Sequence, residues 1–198
     1  MEKVIHAAIA GLGSRGLTAY GRIAAQMPGK IQITAVADPD PEKLERARRE
    51  LSVPEEMCFS SAGEMLSRPK LADVLFVCTM DSQHHSQALA ALEKGYHILL
   101  EKPVSTTLSD CRDIAEAAKK YDRHVVVCHV LRYTPFYQGI KKLLDDGKIG
   151  DVVSIQAAEN VGYWHQAHSF VRGNWRNSDQ SSPMILQKCC HDMDILLW

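Results

Sequence analysis

No apolar run in this chain approaches the ~20 residues needed to span a bilayer; Val74–Cys78 and Ile98–Leu100 are typical of the longest. Charge of one sign is lacking as well, since 23 Lys+Arg stand against 24 Asp+Glu for a formal net charge of −1. So even a balance leaves no bulk field for nucleic acid or an anionic membrane, and neither is expected as a partner. The opening Met1-Glu2-Lys3 has no basic stretch, apolar core or cleavage site of a secretory leader. Cys58, Cys78, Cys111, Cys128, Cys189 and Cys190 include no CxxC pair of the metal-binding kind. They read as reduced core thiols, which places the protein in the cytoplasm. Repeats, low-complexity tracts and long linkers are also missing. What remains is an ordinary globular composition, 45% hydrophobic and 24% charged, in a length that admits one large domain or one domain plus part of another.

The first 130 residues alternate between two periods. Short β-branched runs occur at 4–10, 31–37, 73–78, 97–100 and 124–128, and segments of helical spacing at 14–27, 41–51, 82–94 and 108–121 lie between them. This predicts an α/β fold, a mostly parallel, doubly wound sheet covered on both faces and occupying residues 1–128. The strands are apolar throughout rather than alternating, as both-face burial requires. Pro41 suits a first helical turn, Asp81 or Ser82 can cap the third helix, and Gly95 can close it.

The pattern changes after Cys128. A helix is expected from Arg132 to about Asp146, a turn over Gly147 to Gly150, and a long strand over 151–160. A polar-aromatic stretch over 162–182 has no clear period, and a terminal helix over 184–197 ends abruptly at Trp198. Loops of that length are uncommon in compact domains and are usually functional or mobile. Residues 129–198 thus read as the beginning of a second domain.

Gly11-Leu12-Gly13-Ser14-Arg15-Gly16 follows the first strand and opens the first helix, the context a GxGxxG motif needs to bind a dinucleotide. Gly11 permits the tight turn, Gly13 the approach of a pyrophosphate, and Gly16 close helix–strand packing. The helix N-terminus adds N–H groups and positive dipole. Asp38 ends the second strand, where its carboxylate can bind the adenosine ribose hydroxyls and repel a 2′-phosphate. NAD is therefore the expected cofactor, with NADP admitted through Arg15 and neighbouring basic side chains.

Two further features fall at strand ends, on the ligand side of such a sheet: Cys78-Thr79-Met80-Asp81-Ser82-Gln83-His84 and Glu101-Lys102-Pro103. Pro103 restricts the backbone of Lys102, and a lysine aimed at a hydroxyl can stabilise a developing alkoxide. In the terminal helix, Gln187, His191, Asp194 and Trp198 recur at i, i+4, i+7 and i+11 and form one stripe. Ile185, Cys189, Met193 and Leu196 lie opposite and are expected to be buried. Cys189-Cys190-His191-Asp192 cannot converge on one ion, because adjacent helix residues diverge by ~100°, so no metal is expected. The stretch from 162 to 176 gathers Tyr163, Trp164, His165, His168, Arg172, Trp175 and Arg176, aromatic faces and guanidinium groups suited to a polyol, sugar or anionic substrate.

These motifs closely resemble the Gfo/Idh/MocA family of nicotinamide-dependent oxidoreductases. The resemblance runs from GLGSRG, Asp38, Thr79, His84 and Glu101-Lys102-Pro103 through Arg132-Tyr133-Thr134-Pro135, Trp175-Arg176 and His191-Asp192-Met193-Asp194. It implies an N-terminal Rossmann domain followed by the start of an α/β domain with an open, mostly antiparallel sheet that supports substrate binding and homo-oligomerisation. It further implies hydride transfer between a nicotinamide cofactor and a hydroxyl or carbonyl of a sugar, polyol or related small molecule. Carried over by position, the cofactor-binding residues are Gly11, Leu12, Gly13, Ser14, Arg15, Gly16, Asp38, Cys78, Thr79, Met80, His84, Glu101 and Lys102. Lys102 and His191 resemble the catalytic pair, and Arg172, Trp175, Arg176, Gln187, Lys188 and His191 the substrate contacts. Where the family often has an Asp four residues before the histidine, this chain has Gln187 followed by Lys188, and a glutamine cannot share a proton at neutral pH. The usual Gly-rich lead-in to this helix is replaced by Ser181-Ser182-Pro183. A lyase or glycosidase that retains NAD for transient oxidation, and a non-catalytic nucleotide-binding regulator, are the alternatives. Family members continue well past this length, so the chain is expected to bind nucleotide but to be impaired in turnover.

Overall fold

The computed structural model describes residues 3–178 and 181–198, in two compact units, Met1–Val127 and Cys128–Trp198. The first unit is built on a six-stranded, all-parallel sheet: β1 (Ile5–Ala10), β2 (Ile31–Ala37), β3 (Cys58–Phe59), β4 (Val74–Val77), β5 (His97–Leu100) and β6 (Val125–Val127), in the order β3-β2-β1-β4-β5-β6. The order reverses between β1 and β4. At such a switch point the flanking loops part and leave a crevice beyond the carboxyl ends of the strands.

Both sheet faces are buried, and β1 shows why the strands carry no polar alternation. Ala7 and Ile9 pack with Leu17, Ile33, Val36 and Phe76 on one face. Ala8 and Ala10 pack with Leu75, Val77, Ile98 and Leu100 on the other. The three alanines of β1 and the glycine-rich turn after it let helices approach closely.

The helices of this unit are α1, a π-type segment Ser14–Gly21 running into Arg22–Ala25, then α2 (Pro41–Leu51), α3 (Ala62–Ser67), α4 (His84–Glu93) and α5 (Leu108–Lys120). Pro41 occupies the first turn of α2, and the Asp40 carboxylate accepts from the amides of Glu42 at 3.0 Å and Lys43 at 3.4 Å. In α3 the Ser61 hydroxyl accepts from the Glu64 amide while the Glu64 carboxylate accepts from the Ser60 amide, so two helix-start donors are satisfied. The expected capping of α4 by Asp81 or Ser82 does not occur. A 3-10 turn, Asp81–Gln83, leads into the helix, whose N-cap is Gln83, with no side-chain cap bond from that residue. Gly95 follows α4 with φ +80°, as a helix-ending glycine should. The short β3 and α3 were not anticipated, since two strand residues carry no readable period.

In the second unit, α6 (Pro135–Asp145) is capped by Thr134, and Gly147 and Gly150 adopt φ +66° and +69° in the expected turn. The expected strand over 151–160 is not formed; every residue there is exposed, and no strand pairs with it among the described residues. An extended segment becomes a strand only when a neighbour takes its N–H and C=O groups. The described second unit therefore shows no antiparallel sheet. The polar-aromatic stretch holds two short helical pieces, α7 (Tyr163–His165) and a π-type turn Gln166–Val171, before α8 (Met184–Leu197) closes the chain.

Candidate active site

The glycine loop spans the turn from β1 into α1. Gly11 has φ +90°, and a Cβ there would lie 2.5 Å from the Cys78 carbonyl oxygen. A Cβ on Gly16 would lie 1.9 Å from the Gly11 carbonyl oxygen. These two positions hold the loop against β4 and the helix against the loop. Gly13 is different: a Cβ there would meet no atom within 4 Å. The loop thus presents bare backbone to open space where a diphosphate would approach the start of α1. The residues fit a dinucleotide.

Asp38, only 6% exposed, follows β2 and faces this loop. The Leu12 amide donates to its Oδ2 at 2.7 Å and the Asp40 amide to its Oδ1 at 3.0 Å. Each carboxylate oxygen has a second lone pair for a ribose hydroxyl. Lys43 Nζ lies 3.7 Å from Asp38 Oδ1 and 3.5 Å from Asp40 Oδ2. The first turn of α2 thus brings a cation to the acid.

At the end of β4, the Thr79 hydroxyl donates to Gln87 Oε1 at 2.8 Å, while Cys78, Thr79 and Met80 are half-buried. His84 departs from the role of a group facing the cofactor. Its ring is wholly buried, with Nδ1 2.9 Å from the Pro103 carbonyl oxygen and Nε2 3.2 Å from that of Thr79. It ties the loop after β4 to the turn that carries Lys102, so its bearing on the site is indirect. Lys102 is half-buried and is joined to Pro103 by a cis peptide bond.

Glu101 is buried as well. Its Oε1 accepts from Tyr20 Oη at 2.5 Å and from Arg15 Nε at 2.9 Å, and its Oε2 from the Lys102 amide at 3.2 Å. Like His84, Glu101 engages the protein's own groups. Tyr20 carried no signal in the sequence, because a tyrosine six residues into a helix is most simply packing.

In the second unit, α8 reverses one expectation. The stripe of Gln187, His191 and Asp194 faces inward, with Gln187 7% exposed, whereas Ile185, Met193 and Leu196 on the other side are exposed rather than buried. On the inward face a bidentate bond is made: Arg132 donates from Nε at 2.7 Å and from Nη2 at 2.6 Å to the two oxygens of Asp194. His129 Nε2 lies 3.7 Å from Asp194 Oδ1, and the His129 ring meets His191 edge-on at 6.1 Å between centroids. The Arg132 guanidinium stands 5.7 Å from the Trp198 ring centroid. The role of Arg132 and His129 as a frame for His191 was not visible at the sequence level.

Lys188 Nζ lies 3.0 Å from Nε2 and 3.3 Å from Nδ1 of His165, and 5.9 Å from the Phe170 ring centroid. Burial lowers the Lys188 pKa from the usual lysine value, with the Glu159 and Cys190 charges acting in the opposite sense. Arg172 and Arg176 are exposed, Trp175 is half-buried, and the Trp164 and His168 rings lie 3.8 Å apart.

The chain has relatives along its full length. It is 29% identical over 192 residues to the putative oxidoreductase YteT of Bacillus subtilis (strain 168), covering 95% of this chain and 44% of that protein. It is 28% identical over 192 residues to inositol 2-dehydrogenase of Pseudomonas savastanoi pv. phaseolicola (strain 1448A / Race 6), covering 96% of this chain and 53% of that one. Among solved structures, scyllo-inositol dehydrogenase of Lactobacillus casei with bound NAD(H) and scyllo-inositol superposes with a TM-score of 0.78 at 26% identity, over 99% of this chain and 56% of that one. The chain thus spans about half the length of the relatives it matches. Residues 5–129 match the oxidoreductase family with an NAD-binding Rossmann fold and residues 141–198 its C-terminal alpha/beta domain; the chain belongs to the Gfo/Idh/MocA family.

Proposed function

We propose that the protein is an NAD-dependent oxidoreductase acting on a hydroxyl or carbonyl group of a sugar, polyol or related small molecule. The observation that carries this reading is the open cradle at Gly13, closed on its ribose side by the Asp38 carboxylate bonded to the Leu12 amide. Residues 1–128 form the nucleotide-binding domain in this reading, with Gly11 to Gly16, Asp38 and the segment from Cys78 to Met80 against the dinucleotide. Residues 129–198 begin a substrate domain. The exposed Val152, Val153 and Ile155 support a role for 151–160 as a strand of an open, mostly antiparallel sheet through which copies associate in the cytoplasm.

When bound, the nicotinamide supplies a hydride acceptor. Lys102 stabilises the substrate oxygen as it gains negative charge. His191 takes the hydroxyl proton in the direction of oxidation. The Asp194 carboxylate, clamped by Arg132, sets the field around His129 and His191. Gln187 orients a hydroxyl without exchanging its proton, and Lys188, Arg172, Trp175 and Arg176 give the substrate side its cationic and aromatic character. Lys43 beside Asp38 leaves NADP as a second cofactor.

The test is a panel of sugars and polyols with NAD, read by NADH absorbance. Net NADH production that Lys102→Met abolishes, with NAD binding largely spared, supports the assignment. Turnover that survives Lys102→Met refutes the role of Lys102, and turnover without NADH formation refutes net oxidation in favour of a lyase or glycosidase.

A further inference from the structure

Glu101 gathers donors from segments far apart in the chain. Arg15 comes from the glycine loop, Tyr20 from α1, and the Lys102 amide from the turn after β5. The Arg15 guanidinium carbon lies 5.6 Å from the Tyr20 ring centroid, and the Tyr20 ring meets Phe76 of β4 edge-on at 5.9 Å. A carboxylate 5% exposed, bonded by a phenol and a guanidinium on one oxygen, fixes the plane and direction of that guanidinium. The bond to Glu101 is made through Nε. The Arg15 side chain is 43% exposed, at the same loop whose Gly13 opens to space.

We propose that Tyr20 and Glu101 are positioning residues that hold Arg15 as the diphosphate-binding cation of the glycine loop. The other oxygen of Glu101 carries the amide of Lys102, so one carboxylate sets both the diphosphate contact and the backbone of the proposed catalytic lysine. A lone arginine on a loop would lose side-chain freedom on meeting a phosphate; here that ordering is completed in the folded protein. This inference rests on the dinucleotide reading above.

The experiment measures binding of NADH by its fluorescence and of ADP-ribose and adenosine by competition, on the wild type, Arg15→Met, Tyr20→Phe and the double variant. Loss of one charge-assisted contact predicts NADH and ADP-ribose about tenfold weaker in Arg15→Met, and about threefold weaker in Tyr20→Phe, with adenosine unchanged. The double variant should match Arg15→Met alone, because Tyr20 acts through Arg15. Equal weakening of adenosine, additive effects in the double variant, or wild-type affinity in Tyr20→Phe would each overturn the proposal while leaving the dinucleotide reading intact. A wild type that binds neither NADH nor ADP-ribose would overturn both. Thermal melts separate these outcomes from unfolding, and Tyr20→Phe preserves the ring that packs on Phe76.

Discussion

A pair of alanine substitutions separates the fold of the glycine loop from its ligand. In Gly16→Ala the new methyl would lie 1.9 Å from the Gly11 carbonyl oxygen and 3.0 Å from Ile9 Cγ2. The first contact is with backbone, so the loop and α1 must move apart, at an overpacking cost of about 1–3 kcal/mol. For a chain of this size that lowers the melting temperature by roughly 2–12 °C. In Gly13→Ala the methyl meets nothing within 4 Å, and the backbone there, φ −73° and ψ −164°, is one alanine adopts readily. Stability should stay within about 0.5 kcal/mol of wild type. The methyl does occupy the space through which a diphosphate reaches the amides. Losing one charge-assisted hydrogen bond, about 1.5–3 kcal/mol, weakens NADH by roughly 10- to 100-fold. Thermal melts and NADH fluorescence titrations read the two effects separately. Gly13→Ala with wild-type NADH affinity would refute the cradle, and Gly16→Ala with wild-type stability would refute the packing argument.

Four further outcomes follow from other parts of the molecule. Asp38→Ser should weaken NADH about tenfold and strengthen NADPH relative to it, because the repelling carboxylate goes while Lys43 stays, as parallel titrations would show. Leu75→Ala, in β4 at the centre of the core, should cost about 3 kcal/mol in urea unfolding of the first unit. Asp194→Asn should destabilise the second unit by about 1–2 kcal/mol, discounted because Arg132 is part-exposed, and should change Trp fluorescence in denaturant titrations through the Arg132–Trp198 contact. Burial lowers the Lys188 pKa, so folding disfavours its charged form, and that penalty is present at neutral pH. It fades as the pH rises through the folded-state value toward that of the unfolded chain; Lys188→Met should therefore raise the melting temperature at pH 7, by a margin that narrows toward pH 10.

The parallel sheet and the glycine loop were legible in the sequence because both are local signals. The β1 run, the glycines and Asp38 state their roles through spacing and residue type, and α2 and α8 have the predicted limits Pro41–Leu51 and Met184–Leu197. What stayed hidden depends on partners distant in sequence. Nothing near Tyr20 announces Glu101, and nothing near His84 announces the Pro103 carbonyl. Residues 151–160 have a strand's composition but, among the described residues, no strand to receive their hydrogen bonds. In α8 the helical period found the stripe, yet the partner of Asp194 on its inward face, Arg132, lies 62 positions earlier. Lys43, a few positions past Asp38, is returned to it by the first turn of α2.

The central claim is that the glycine loop, Asp38 and Arg15 form a working dinucleotide site. Calorimetric titration of NADH into the purified 198-residue protein tests it most directly. Saturable binding at one site per chain, displaced by ADP-ribose and weakened by Gly13→Ala at unchanged stability, is the predicted result. A well-folded protein that releases no binding heat and shows no shift in melting temperature with NADH or NADPH would contradict it.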